Sequence, residues 1–276
     1  MDKCPKSILR IITGFVFGAI ALACMIFGGL PLLLLIAVIV YLSSKEYVDI
    51  LKHKGFLPSF KIIMASSLMF ALAACYKRFD LVPLIFTISS IISFMWVLFR
   101  GKQPYIANVA TTILGFVYCG WFPLHLIFLR DFGTPGYALM ILFGVVLTDT
   151  MCYYVGCQYG KHKLSAVISP NKTIEGSMGG AVFCIGSVFF WGWVMQLAWY
   201  HSLALGILIA AFAQIGDLCE SMIKRDAGVK DSSNILPGHG GFLDRCDSYI
   251  LSIPVVYYYV YYFIENNILD VIKGLF

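Results

Sequence analysis

Charge is scarce in this sequence: 13% of its residues are Asp, Glu, Lys or Arg and 60% are hydrophobic, where soluble domains carry roughly 25% charged residues. A chain so poor in charge cannot cover a water-facing surface, so its solvent is mainly lipid. Cysteine pairs are lacking as well. The nine cysteines are scattered, none forms Cys-x-x-Cys, and Cys152 and Cys157 stand five apart. An odd number of thiols, most of them inside apolar runs, points to small packing residues rather than a disulfide or zinc framework. Gly-x-x-x-x-Gly-Lys-Ser/Thr, Gly-x-Ser-x-Gly and His-Glu-x-x-His are all missing, which removes the P-loop, the nucleophile elbow and the zincin helix. The apolar runs are continuous instead of alternating, which argues against a β-barrel. No matching pair of interrupted helices recurs in the two halves, which argues against a transporter of inverted repeats.

What is present is a series of apolar stretches, each near the roughly 20 residues that a spanning helix needs. They fall at 8–27, 30–48, 60–76, 81–99, 106–129, 135–157, 174–198, 202–223 and 242–263. The expected fold is therefore an all-α polytopic membrane protein of about nine transmembrane helices. Lys3, Lys6 and Arg10 ahead of the first run resemble a signal sequence, but eight further runs favour a retained helix. With the N-terminus cytoplasmic, 16 of the 20 Lys and Arg residues fall in inside loops and Lys77, Arg78, Arg130 and Lys273 fall outside. That split obeys the positive-inside rule. The net charge of +5 suits an inner face beside anionic lipid, and calls for no nucleic acid. Residues 1–105 read as an N-terminal four-helix membrane region without clustered polar chemistry. Residues 106–276 read as a five-helix catalytic region with cytoplasmic loops. The patch VVYYYVYYF at 255–263 suits an interfacial aromatic belt.

The scarce charge is concentrated. Asp217, Glu220, Lys224, Arg225, Asp226, Lys230, Asp231, Asp244, Arg245 and Asp247 lie within 31 residues and make up ten of the 35 charges, from 20 basic and 15 acidic residues. In QIGDLCESMIKR (214–225), helical spacing puts Asp217, Glu220, Ser221 and Lys224 on one face. Carboxylates entering a membrane need a cation or other partner; an ion-pair network between helices would meet that need as well as a ligand would. In PGHGGFLDRCDS (237–248), the glycines around His239 suit a tight turn, after which a helix begins carrying Asp244, Asp247 and Ser248. Amides at such a helix start favour anions, although His-Gly-Gly also suits an ordinary turn. In GKHKLSAVISPNKTIEGSMGG (160–180), Ser169 and Pro170 fit an N-cap and first helical residue. Lys161, Lys163 and Lys172 suit phosphate or simply mark topology. Asp149, inside the sixth run, needs a lysine or hydroxyl partner.

The stretch from Ser221 to Asp247 resembles the signature of the CDP-diacylglycerol synthases, or phosphatidate cytidylyltransferases. It carries Ser221, Ile223, Lys224, Arg225, Lys230, Asp231, Pro237, His239, Gly240, Gly241, Asp244, Arg245 and Asp247 at the family's spacing. SPNKTIEG (169–176) is similar to the family's upstream motif, with Asn171 where lysine is usual; Cys246 also departs from the usual aliphatic residue or threonine. The resemblance covers roughly residues 145–250 and implies cytidylyl transfer from CTP to phosphatidic acid, two polyanions, with Mg2+ as cofactor and a second metal ion left open. On that resemblance Asp217, Asp244, Lys224 and Asp247 are the expected catalytic residues, with Asp217, Asp244 and Glu220 as metal ligands. Ser169, Lys172, Ser221, Arg225, Lys230, His239, Gly240, Gly241 and Arg245 are the expected substrate-binding residues. The charge split puts these loops and the expected active site on the cytoplasmic side (of the inner membrane if bacterial), among membrane lipid, and the resemblance further implies a homodimer. A CTP-dependent polyprenol or other lipid kinase, or a cation-coupled transporter, are the alternatives.

Overall fold

The computed structural model describes residues 4–165, 167–233 and 240–266, with side chains from residue 14 onward. Helices occupy each of the nine apolar stretches: α1 (Cys4–Phe27), α2 (Gly29–His53), α3 (Phe60–Cys75), α4 (Val82–Arg100), α5 (Tyr105–Gly115) continued by π-helical Phe116–Trp121 and α6 (Phe122–Asp131), α7 (Gly136–Tyr159), α8 (Ile174–Val194), α9 (Trp199–Asp226), and α10 (Leu243–Tyr259) continued by π-helical Val260–Glu265. Six of these runs are long and apolar enough to cross a membrane, namely Gly29–His53, Phe79–Arg100, Tyr105–Asp131, Gly136–Tyr159, Ile174–Val194 and Trp199–Asp226; Gly14–Phe27 and Phe60–Cys75 are shorter apolar helices. The chain is an integral membrane protein, with one short hairpin, β1 (Lys163–Ser165) and β2 (Ser169–Thr173), as the sheet among the described residues.

Two compact units form, each from two stretches of chain: residues up to Phe128 with Glu220–Cys246, and Leu129–Cys219 with the chain from Asp247. In the first unit the link after α2 is fastened by side chains of α5, because backbone amides near lipid must find partners. Leu57 N donates to Asn108 Oδ1 at 2.7 Å, Ser59 N donates to Thr112 Oγ1 at 3.0 Å, and Tyr47 Oη donates to the Thr111 carbonyl at 2.9 Å. Phe70 packs against Phe86, Phe116 and Trp121 with ring centroids 4.9–6.3 Å apart, an apolar core that needs no hydrogen bond.

In the second unit α7 packs on α8 through small residues. The buried positions of α8 are Gly176, Gly180, Cys184, Val188 and Gly192, a stripe repeating every fourth residue. Without a hydrophobic drive between helices in lipid, such a stripe allows close backbone approach. A Cβ at Gly180 would lie 2.7 Å from the Thr148 carbonyl and 2.3 Å from Cys152 Sγ. The tyrosines of the 255–263 patch stack along one helix, as in the Tyr257–Tyr261 pair at 5.9 Å.

One local expectation is overturned. Ser169 and Pro170 do not open α8; they begin β2, which pairs antiparallel with β1 through Lys163 opposite Thr173. Thr173 is the N-cap, its hydroxyl accepting from Gly176 N at 3.2 Å. Both Ser169 and Thr173 could cap, and the pairing with β1 keeps residues 169–173 extended, so the later hydroxyl wins.

Substituting the α8 stripe tests this packing. Gly180→Val should destabilise the detergent-solubilised protein by about 1–3 kcal/mol through overpacking. Gly186→Ala, at an α8 position with open space around its Cβ, should instead be neutral or stabilising by up to about 1 kcal/mol. Thermal unfolding followed by tryptophan fluorescence would separate the two.

Candidate active site

α9 is helical through Asp226, so the spacing of its polar residues becomes geometry. In the first unit Lys224 Nζ sits 2.5 Å from Glu220 Oε2, one turn back, and 2.7 Å from Asp244 Oδ1 at the start of α10. All three side chains are largely withdrawn from solvent, at 11%, 1% and 13% relative exposure. One ammonium shared by two carboxylates leaves the triad with a net negative charge of one. Buried charges persist only when paired in this way.

The second oxygen of Asp244 is also engaged. Oδ2 accepts from Gly241 N at 3.0 Å and from Ser232 N at 3.2 Å, so Asp244 both anchors Lys224 and fixes the loop ahead of its own helix. α9 ends in a turn where Ala227 N, Gly228 N and Val229 N donate to the carbonyls of Ile223, Arg225 and Lys224 at 3.0–3.1 Å. Arg225 donates back to the Val229 carbonyl at 3.2 Å. Arg225, Lys230 and Arg245 are exposed, whereas Ser221 is buried. Gly240 has a φ of 80°, a left-handed backbone that favours glycine. His239 lies outside the described residues.

The second unit holds another polar cluster. Lys172 on β2 forms an ion pair with Asp217 on α9, their side chains 27% and 32% exposed. Ser177 and Gln214 bond reciprocally, the hydroxyl to Oε1 and Gln214 Nε2 to the Ser177 carbonyl at 3.2 Å. Glu175 holds the hairpin entrance: Oε1 bonds His162 Nδ1 at 2.6 Å, and Oε2 accepts from Lys161 N and His162 N at 3.0 and 3.2 Å. Asp149 meets a hydroxyl partner, Ser248 Oγ, at 3.5 Å. Asp247 is buried, with Oδ1 accepting from Ser248 N at 2.7 Å. Ser169 stands half-buried at the start of β2. Among the described residues no three His, Cys, Asp or Glu side chains gather as a metal cage.

The structure adds one residue that motif reasoning passed over. Glu46 on α2 is 1% exposed and bonds Ser232, Ser233, Phe242 and Leu243. The available signal was an acid beside Ser43 and Ser44 in YLSSKEYVDI (41–50), where an acidic side chain entering an apolar run is itself a flag.

The model of the cytidylyltransferase family matches residues 8–263. Phosphatidate cytidylyltransferase of Synechocystis is 34% identical over 91% of this chain and 95% of its own. The phosphatidate cytidylyltransferase of Bacillus subtilis is 32% identical over 90% and 96%, and chloroplastic phosphatidate cytidylyltransferase 5 of Arabidopsis thaliana is 32% identical over 90% and 69%. A match over nearly the whole chain, including the first hundred residues that carry no motif, leaves one conclusion: this chain belongs to the cytidylyltransferase family.

Proposed function

We infer that this chain transfers the cytidylyl group of CTP to phosphatidic acid, giving CDP-diacylglycerol and pyrophosphate for phospholipid synthesis. The observation that carries this reading is near full-length similarity to relatives named phosphatidate cytidylyltransferase. In the reaction a phosphate monoester oxygen of the lipid attacks the α-phosphorus of CTP. The bond from that phosphorus to the bridging oxygen breaks, and pyrophosphate leaves with the bonding electrons. Two polyanions must be brought together in line, so positioning and charge neutralisation dominate over acid–base work.

The residues divide the task by charge. Arg225, Lys230 and Arg245 are exposed and would meet phosphate oxygens directly. Lys172 and Lys224 are held by carboxylates, which keep each ammonium oriented until a more highly charged phosphate competes for it. Ser169, Ser221, Gly240, Gly241 and His239 complete the proposed substrate-binding set, and Asp247 supports the start of α10. The chemistry of the donors fits Mg2+: Asp217, Asp244 and Glu220 offer hard anionic oxygens, and Mg2+ commonly takes only one or two carboxylates, with substrate phosphates and water completing its shell. When bound, the ion would neutralise phosphate oxygens. A second metal ion stays part of the proposal.

The finer topology is proposed on the charge split: nine spans, N-terminus cytoplasmic, and the catalytic residues of the 106–276 region facing the cytoplasm. CTP then arrives from the cytosol and phosphatidic acid from the inner leaflet. A homodimer surrounded by membrane lipid completes the reading.

Detergent-purified protein given cytosine-labelled CTP, Mg2+ and phosphatidic acid should move label into the organic phase only when phosphatidic acid is present. Transfer of γ-phosphate to a polyprenol instead would reassign the protein as a lipid kinase. Asp217→Asn should lower kcat by roughly 100-fold or more, the scale seen when one electrostatic stabiliser is removed, and should raise the Mg2+ concentration needed for half-maximal rate. Lys224→Met should abolish transfer and cost about 3–5 kcal/mol in stability, because Glu220 and Asp244 would be left buried without their cation. For topology, Lys230→Cys in a cysteine-free background should react with an impermeant maleimide in inside-out vesicles and stay unlabelled in intact cells.

A further inference from the structure

Both carboxylate oxygens of Glu46 are engaged. Oε1 accepts from Ser233 Oγ at 2.5 Å and Phe242 N at 2.8 Å; Oε2 accepts from Ser232 Oγ at 2.9 Å and Leu243 N at 2.6 Å. Each oxygen takes one hydroxyl and one amide, so the roughly four acceptor sites of a carboxylate are filled. That leaves Glu46 nothing with which to bind a metal or accept a substrate proton. Its partners are instead two ends of one loop: Ser232 and Ser233 on one side, and the first turn of α10 on the other. Amides in a first helical turn have no partner within their own helix, and a carboxylate there is favoured by the helix dipole.

The same loop is tied to the Lys224–Glu220–Asp244 triad. Ser232 gives its hydroxyl to Glu46 and its amide to Asp244, whose other oxygen holds Lys224. Gly241 is fitted between them: a Cβ there would lie 1.6 Å from Ser232 Oγ and 2.9 Å from Glu46 Oε2. A second contact from the end of α2 supports the same segment independently. Lys54 Nζ donates to both the carbonyl and Oδ1 of Asp226, at 2.8 Å each, where α9 ends. Two side chains from the α2 region therefore grip the segment from Asp226 to Leu243 at both ends.

Resting on cytidylyl transfer as inferred above, we propose that Glu46 is a positioning residue for that reaction, acting through Ser232 to hold Asp244 and Lys224 in register. The four bonds of Glu46 go to Ser232, Ser233, Phe242 and Leu243, not to Arg225, Lys230 and Arg245, the cations that would first meet the polyphosphate. Losing the clamp should therefore act on turnover more than on nucleotide capture.

The experiment is steady-state kinetics on the full chain with Glu46→Gln, Ser232→Ala and the double variant, alongside hydrogen exchange of the 230–243 segment. Gln keeps the shape but cannot accept at four positions. Glu46→Gln should lower kcat about 10- to 100-fold, leave KM for CTP within about threefold, and speed exchange in that segment alone. Because both changes cut one path, the double variant should be no slower than Glu46→Gln by more than about twofold. A kcat within threefold of wild type, or multiplicative losses in the double variant, would overturn the proposal. If Glu46→Gln does not fold, the Ser232→Ala, Ser233→Ala double variant replaces it: a tenfold fall in kcat supports the clamp, and a kcat within twofold of wild type defeats it. Wild-type protein inactive with CTP and phosphatidic acid would instead count against cytidylyl transfer itself.

Discussion

A charge that leaves water beside a membrane has to be neutralised where it stands, and the neutralisation around Lys224 organises the loop between α9 and α10 and its contact with α2. Its ammonium bridges Glu220 on α9 and Asp244 on α10, so the two helices are joined at this point by charge and not only by packing. Asp244 has a second oxygen to satisfy, and the loop amides of Ser232 and Gly241 fill it. That fixes the loop, which brings the Ser232 hydroxyl and the amides of Phe242 and Leu243 to Glu46. Each step follows from the high cost of leaving a buried polar group unpaired.

The same rule shapes the second unit with different materials. Lys172 and Asp217 pair at intermediate exposure, where water screens the attraction more than it does around buried Lys224. Glu175 closes the hairpin entrance by bonding backbone amides as well as His162. The glycine stripe of α8 sets how near α7 comes, and β2 carries Lys172 directly into α8. A reaction that joins two polyanions suits such a protein. Lys172 and Lys224 are held by carboxylates, whereas Arg225, Lys230 and Arg245 stand exposed to water.

Much of the local geometry of the candidate site was legible along the chain because the charged stretch is compact. Asp217, Glu220, Ser221 and Lys224 share a helical face by spacing alone, and α9 supplies that helix. The helix expected after Gly241 begins at Leu243. Two features were not legible. Ser169 and Thr173 are both competent caps, and choosing between them required the pairing of β2 with β1, a contact that Pro170 does not announce. Glu46 is nearly 190 residues from its loop, so no local pattern could connect the two.

By itself, the sequence determined that the chain lives in lipid, where its helices run, and which charged side chains share one helical face. Those properties follow from composition, from the length needed to cross a bilayer and from spacing along one helix, all of which are local. Tertiary structure alone decided which carboxylate meets which cation, that Thr173 and not Ser169 caps α8, and that α2 reaches the loop ahead of α10 through Glu46. A buried charge chooses its partner by distance in space, and that distance exists only once the helices have packed.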